Sequence, residues 1–188
     1  MSSKIFETQL CIKHYQDKVI KELIALGVSN LSIKVIDNWH YENEKQIMEL
    51  ADIEEYVNKG KIAVIDCKYK DLNCGCNISK LANDCYEFDI WIPTKIESCL
   101  DDECLTEQNK YIYDAIILWI KNHIEPYELI FCISGIEMCV EYSNDLNKIL
   151  DNSSGIIQMI CLCNAVAPNV LYFNVNRDVD YMTLRLSS

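Results

Sequence analysis

The sequence predicts an α+β (mixed α/β) domain: one mostly antiparallel or mixed β-sheet covered by about three helices. Three observations carry this. Apolar residues recur at helical spacing in the early and middle parts of the chain, whereas period-two or continuous apolar runs dominate from Glu128 onward, so helices and strands do not alternate regularly. The 188 residues are 50% hydrophobic and 24% charged, enough to bury one substantial core. No repeat, low-complexity tract or Pro/Gly/Ser linker divides residues 1–188, which read as a single globular domain.

Taken in order, residues 4–12 suit either a strand or a helical extension. His14 to Leu26 reads as a helix, with Tyr15, Val19, Ile20, Leu23 and Ile24 on one face and Gly27 as its C-terminal cap. Leu31, Ile33 and Val35 alternate with Ser32 and Lys34, the pattern of a half-buried strand. Asn43-Glu44-Lys45-Gln46 resembles a capping box, and Ile47, Leu50, Ile53 and Val57 follow at helical spacing, so a helix is expected before Gly60. Ile62-Ala63-Val64-Ile65 is a continuous apolar run, expected of a strand buried on both faces.

Residues 71–84, rich in Cys and Asn, look like the weakest point of the fold. Tyr86, Phe88, Ile90 and Ile92 alternate with Glu87, Asp89 and Trp91 up to Pro93, a strand with one wet, acidic face. Thr106 can cap a long helix reaching Ile124; it is apolar nearly all round and is expected to pack on more than one side. Further strands are expected at 128–134, 136–142, 156–163, 170–175 and 181–186.

Charge is the strongest compositional signal. Lys and Arg number 17 against 29 Asp and Glu, a net charge of -12. Between Leu81 and Asn109 stand Asp84, Glu87, Asp89, Glu97, Asp101, Asp102, Glu103 and Glu107, with Lys95 the one base. Such a field repels nucleic acid and membrane surfaces and attracts basic proteins. No apolar run approaches a membrane span, and the N-terminus has no secretory pattern, so a cytoplasmic chain is expected. The 11 Cys are then expected to be reduced; Cys67, Cys74, Cys76 and Cys85 do not have zinc-ligand spacing.

Several chemistries lack their motifs. The five glycines form no G-x-G pair and no G-K-[ST], which removes phosphate-cradling and dinucleotide fingerprints. His14, His40 and His123 are isolated from one another, and Ser134-Gly135 lacks the first glycine of a nucleophile elbow. Neither a metal nor another cofactor is indicated.

One constellation stands apart. Asp66-Cys67-Lys68 closes the buried run, and Asp52 lies 14 residues upstream. This resembles the core of the PD-(D/E)xK nuclease family. The resemblance implies Asp52 and Asp66 as metal ligands, Lys68 as the residue that positions water, and Glu22 as a helix carboxylate. It spans about 20 residues, lacks the Pro before Asp52, and places Asp52 in a segment that also reads as helix.

Two functional classes follow. The first is an acidic protein-binding domain of the inhibitor or immunity-protein type, which neutralises a basic partner such as a nuclease toxin. Its binding residues are expected to be Asp84, Glu87, Asp89, Trp91, Glu97, Asp101, Asp102, Glu103 and Glu107, with Trp91, Tyr86 or Tyr111 as aromatic anchor. The alternative is a metal-dependent nuclease using Asp52, Asp66 and Lys68, which requires the two carboxylates to converge.

Overall fold

The residues Ile5–Ile12 form strand β1 because Phe6, Thr8, Leu10 and Ile12 all bury on one side while Glu7 and Gln9 point to the other. The computed structural model describes residues 4–81, 84–140, 148, 154–164 and 167–172. After β1 come α1 (Asp17–Ala25), β2 (Ser29–Ile36), β3 (Lys45–Ile47), α2 (Ile53–Asn58), β4 (Ile62–Tyr69) and β5 (Leu72–Lys80). They are followed by β6 (Tyr86–Pro93), α3 (Glu107–His123), β7 (Leu129–Cys139), β8 (Ser154–Asn164) and β9 (Ala167–Tyr172). The strands make one sheet in the order β3-β2-β4-β5-β6-β1-β7-β8-β9, and every pairing is antiparallel.

The three helices α1, α2 and α3 feed one core. Val19 and Ile20 of α1, Ile53 and Val57 of α2, and Tyr113, Ile117 and Ile120 of α3 bury with Phe6, Leu10, Ile65, Ile78, Phe88 and Cys132 of the sheet. This side is the helix side. On the far side two smaller apolar clusters form, one of Ile36, Ile62 and Val64 and another around Cys11, Phe131, Ile133 and Ile160. The run Ile62–Ile65 is thus buried on both faces, as its lack of alternation predicts.

The first helix begins later than expected, at Asp17, whose carboxylate pairs with Lys21 at 2.5 Å; it ends at Ala25, capped by Leu26 before Gly27 at φ +86. The apparent capping box at Asn43 is not used. The Asn43 amide donates to Asp37 at 2.5 Å, its backbone is left-handed, and Lys45–Ile47 instead pairs with the edge of β2. Helix begins only after a single 3-10 turn at Leu50–Asp52. The stretch read as the weakest point is the interior strand β5. Lys70 and Asp71, both at positive φ, make the tight turn into it, and Cys74, Cys76 and Ile78 bury alternately.

Two other expectations change. Helix α3 buries Tyr113, Ile117 and Ile120 but leaves Tyr111 75% and Leu118 60% exposed, so it packs on one side only. No break occurs near Gly135: β7 is continuous, and the irregularity is a bulge in its partner β8, where Ser134 opposes Met159 and Gly135 opposes Ile157. The extra residue of β8, Gln158, turns to the helix side, accepts from the Tyr113 hydroxyl and donates to the Asp102 carbonyl at 2.9 Å. The strand expected at 181–186 and the ends of those at 136–142 and 170–175 lie outside the described residues.

The N-terminus of α3 carries a reciprocal capping box. Asn109 N–H donates to Thr106 Oγ1 at 3.2 Å, and Thr106 N–H donates to Asn109 Oδ1 at 2.7 Å. Thr106→Ala should therefore lower stability by about 1 kcal/mol in urea unfolding, whereas Thr106→Ser should retain most of it.

Candidate functional site: a carboxylate bowl on the far face of the sheet

Side chains alternate across a strand, so the register that buries the helix-side core also dictates what gathers on the far face. Across β5, β6 and β1 the far-face neighbours run in three rows: Gly75–Trp91–Glu7, Asn77–Asp89–Gln9 and Ser79–Glu87–Cys11. The polar centre of these rows lies between apolar flanks, with Val64 opposite Asn77 on one side and Ile133 opposite Gln9 on the other. The result is a bowl of about 230 Å³ lined by Glu7, Gln9, Asn77, Ser79, Glu87 and Asp89 and rimmed by Trp39, Met138 and Val140.

Trp91 sits beside this bowl because Gly75, its partner in register, has no side chain. A Cβ there would come within 2.8 Å of the Trp91 ring and 2.3 Å of the Ile65 carbonyl. The bowl is rich in acceptors. Glu87 accepts from Gln9 Nε2 and from Ser79 Oγ at 3.1 Å, and Asp89 accepts from Asn77 Nδ2 at 3.2 Å. Glu7 Oε2 and Gln9 Oε1 are buried and have no hydrogen-bond partner. No lysine or arginine forms an ion pair with Glu7, Glu87 or Asp89 among the described residues.

Electrostatics follow from that geometry. Burial pushes the Glu7 carboxyl up from its usual 4.5 to about 7, and the Asp89 charge adds to the rise. Burial also raises Glu87 and Asp89 above the usual carboxylate range, against the hydrogen bonds from Ser79 and Asn77. Raised carboxyls on several convergent polar groups in one concavity mark a candidate binding site. Among the described residues, no three His, Cys, Asp or Glu side chains are grouped so as to hold a metal ion.

The structure divides the residues singled out in the sequence. Glu87, Asp89 and Trp91 share the far face. Asp84 stands in the turn before β6 and pairs with Lys80 at 3.0 Å. Glu97, Asp101, Asp102, Glu103 and Glu107 lie on the connection into α3 and its first turn. Glu97 pairs there with Lys70 at 3.2 Å, and Glu103 and Asp101 pair with Lys4 at 3.1 and 3.8 Å. Tyr86 is buried and donates to Asn58 at 2.7 Å, which removes it as an anchor, while Tyr111 is exposed on α3.

Asp52 and Asp66 do not converge. Asp52 is exposed at the start of α2, in the helix layer, whereas Asp66 is on the far face of β4, 3.4 Å from Lys34. The sheet stands between them. Lys68 shares the far face with Asp66, and Glu22 lies on α1 at the edge of an apolar cleft of about 390 Å³ between α1 and α3. The carboxylate pair required by the nuclease resemblance is therefore not formed, because the segment carrying Asp52 is helical.

Glu7, Gln9, Asn77, Ser79 and Trp39 were not among the sequence-predicted site residues. The far-face placement of Glu7, Gln9, Asn77 and Ser79 was legible only as the complement of Phe6, Leu10 and Ile78 once pairing partners were known, and Trp39 reaches the rim from the loop after β2. In comparisons with known proteins the chain matches no family model, no curated protein and no solved structure. No described helix is long and apolar enough to cross a membrane.

The raised Glu7 value has a stability consequence. Between pH 4.5 and 7 the folded chain holds a proton that the unfolded chain releases, so the Glu7 contribution to stability falls as pH rises through this window. Glu7→Gln should therefore be more stable than the parent at pH 8, by roughly 1–2 kcal/mol after discounting for solvent screening, and match it near pH 4. Melting curves at the two pH values read this directly.

Proposed function

We propose that this chain is an acidic protein-binding domain of the inhibitor or immunity type, which neutralises a basic partner such as a nuclease toxin. The far-face bowl is its receptor for a cationic side chain, and arginine is the best match. The observation that carries this reading is the desolvated trio Glu7, Glu87 and Asp89, which no lysine or arginine among the described residues neutralises. Two buried acceptors in the same place, Glu7 Oε2 and Gln9 Oε1, require donors. Each buried unpaired acceptor costs about 1–3 kcal/mol, and a guanidinium supplies five N–H groups in a planar fork with the compensating charge.

Trp39 at the rim, 55% exposed, supplies an aromatic ring on which such a cation can pack. The net charge of -12 would accelerate encounter with a basic partner. The acids Asp101, Asp102, Glu103 and Glu107 then serve as a secondary, steering patch, since Lys4 already meets part of their charge. In this reading the partner is a basic protein, and neither nucleic acid nor a membrane is bound directly.

Fluorescence anisotropy with a labelled oligo-arginine peptide, compared with oligo-lysine and a neutral peptide, tests the assignment. Binding should favour oligo-arginine, weaken with salt, and tighten from pH 6 to pH 8 as Glu7 loses its proton. The double change Glu7→Gln with Asp89→Asn should weaken it by about tenfold or more. Loss of binding on charge reversal at Asp101, Asp102 and Glu103, with the bowl variant unaffected, would move the site to the connection before α3.

A further inference from the structure

Cys67 and Cys74 oppose one another in register across the β4–β5 hairpin, and their Sγ atoms are 3.4 Å apart. The short turn through Lys70 and Asp71, at φ 48 and 63, holds the two strands in that alignment. Cys67 is half-buried and Cys74 is buried. With Cys76 they line an apolar cavity of about 190 Å³ that also receives Leu23 and Leu26 from the end of α1. Other thiols are also close: Cys132 opposes Cys161 in register, and Cys11 lies against Cys85. Those four are buried, so the hairpin pair combines opposition with access.

We propose that Cys67 and Cys74 are a redox-active dithiol that closes to a reversible cross-strand disulfide when the protein meets hydrogen peroxide. The Cys67 sulfur, as thiolate, attacks one peroxide oxygen; the O–O bond breaks, a sulfenic acid forms, and the other oxygen leaves as water after taking up a proton. The Cys74 sulfur then attacks the sulfenic sulfur, the S–O bond breaks, and a second water leaves with the Cys74 proton. Two thiols are oxidised and one peroxide is reduced to two waters. A dithiol reductant reverses the bond by exchange. Closing it requires the sulfurs to approach by about 1.4 Å, from 3.4 Å to a bonded distance near 2.05 Å, which rotation of the two side chains can share. Burial and the neighbouring thiol push Cys67 up to about 12, so this thiol is protonated at neutral pH and the bond closes under sustained rather than brief exposure.

The full chain is treated with peroxide, alkylated, digested with trypsin without reduction and analysed by mass spectrometry. Trypsin places Cys67 on the peptide Ile62–Lys68 and Cys74 with Cys76 on Asp71–Lys80. The expected product is these two peptides linked within one chain, with a mass lower by two hydrogens, and released by dithiothreitol. The link should vanish in Cys74→Ser and persist in Cys76→Ser. Cys104, which is exposed, reports in the same digest that the oxidant reached the protein. Free Cys67 alongside oxidised Cys104 in the parent chain would overturn the proposal without recourse to any variant. A link that joins two chains, or that survives Cys74→Ser through Cys76, would overturn it equally.

Discussion

Everything on this molecule's far face depends on the alternation that builds its core. Along β5, β6 and β1, Ile78, Phe88, Phe6 and Leu10 turn toward the helices, and the same register sends Asn77, Asp89, Glu7 and Gln9 the other way. A one-residue slip in any of these strands would bury carboxylates under α1 and α3 and expose the core, so the polar cluster cannot be moved without unmaking the fold. The bowl is therefore a fixed feature of the scaffold rather than a property of a loop.

What makes the bowl more than a wet patch is its position between apolar flanks. Val64 with Ile36 and Ile62 on one side, and Ile133 with Phe131 on the other, keep the centre partly desolvated. Burial raises all three carboxyls there above their usual range, Glu7 to about 7, and each gains from a cation that brings donors. The acids on the connection into α3 behave differently. They are more exposed and already pair with Lys4 and Lys70, so they contribute field more than a defined pocket.

How much of this was legible in the sequence depends on how local each feature is. Thr106 with Asn109, Gly27 after α1, and the alternation from Tyr86 to Ile92 are set by neighbours a few residues away, and each appears where its pattern points. The segment from Asn43 misleads because Asn43 spends its amide on Asp37, a contact created by the loop. Strand β5 was obscured by Cys, Asn and Gly, residues with weak strand preference, and Gly75 is required because the Ile65 carbonyl and the Trp91 ring occupy the space of a side chain there. Two of the six polar residues that line the candidate site, Glu87 and Asp89, were visible in the sequence, with Trp91 beside them. Glu7 and Gln9 join them from a strand some eighty residues earlier, through a β1–β6 pairing that no local pattern encodes. Asp52 stands apart from Asp66 because its segment is helical, a reading its sequence also allowed beside the nuclease resemblance.

The most direct test of the account is an NMR titration of the side-chain carboxyl carbons of Glu7, Glu87 and Asp89. A desolvated bowl without its cation predicts a Glu7 midpoint at about 7, with Glu87 and Asp89 both above their usual range. Three midpoints at the ordinary carboxylate values, about 4, would mean that water fills the centre of the far face. The case for a cation receptor there would then be lost.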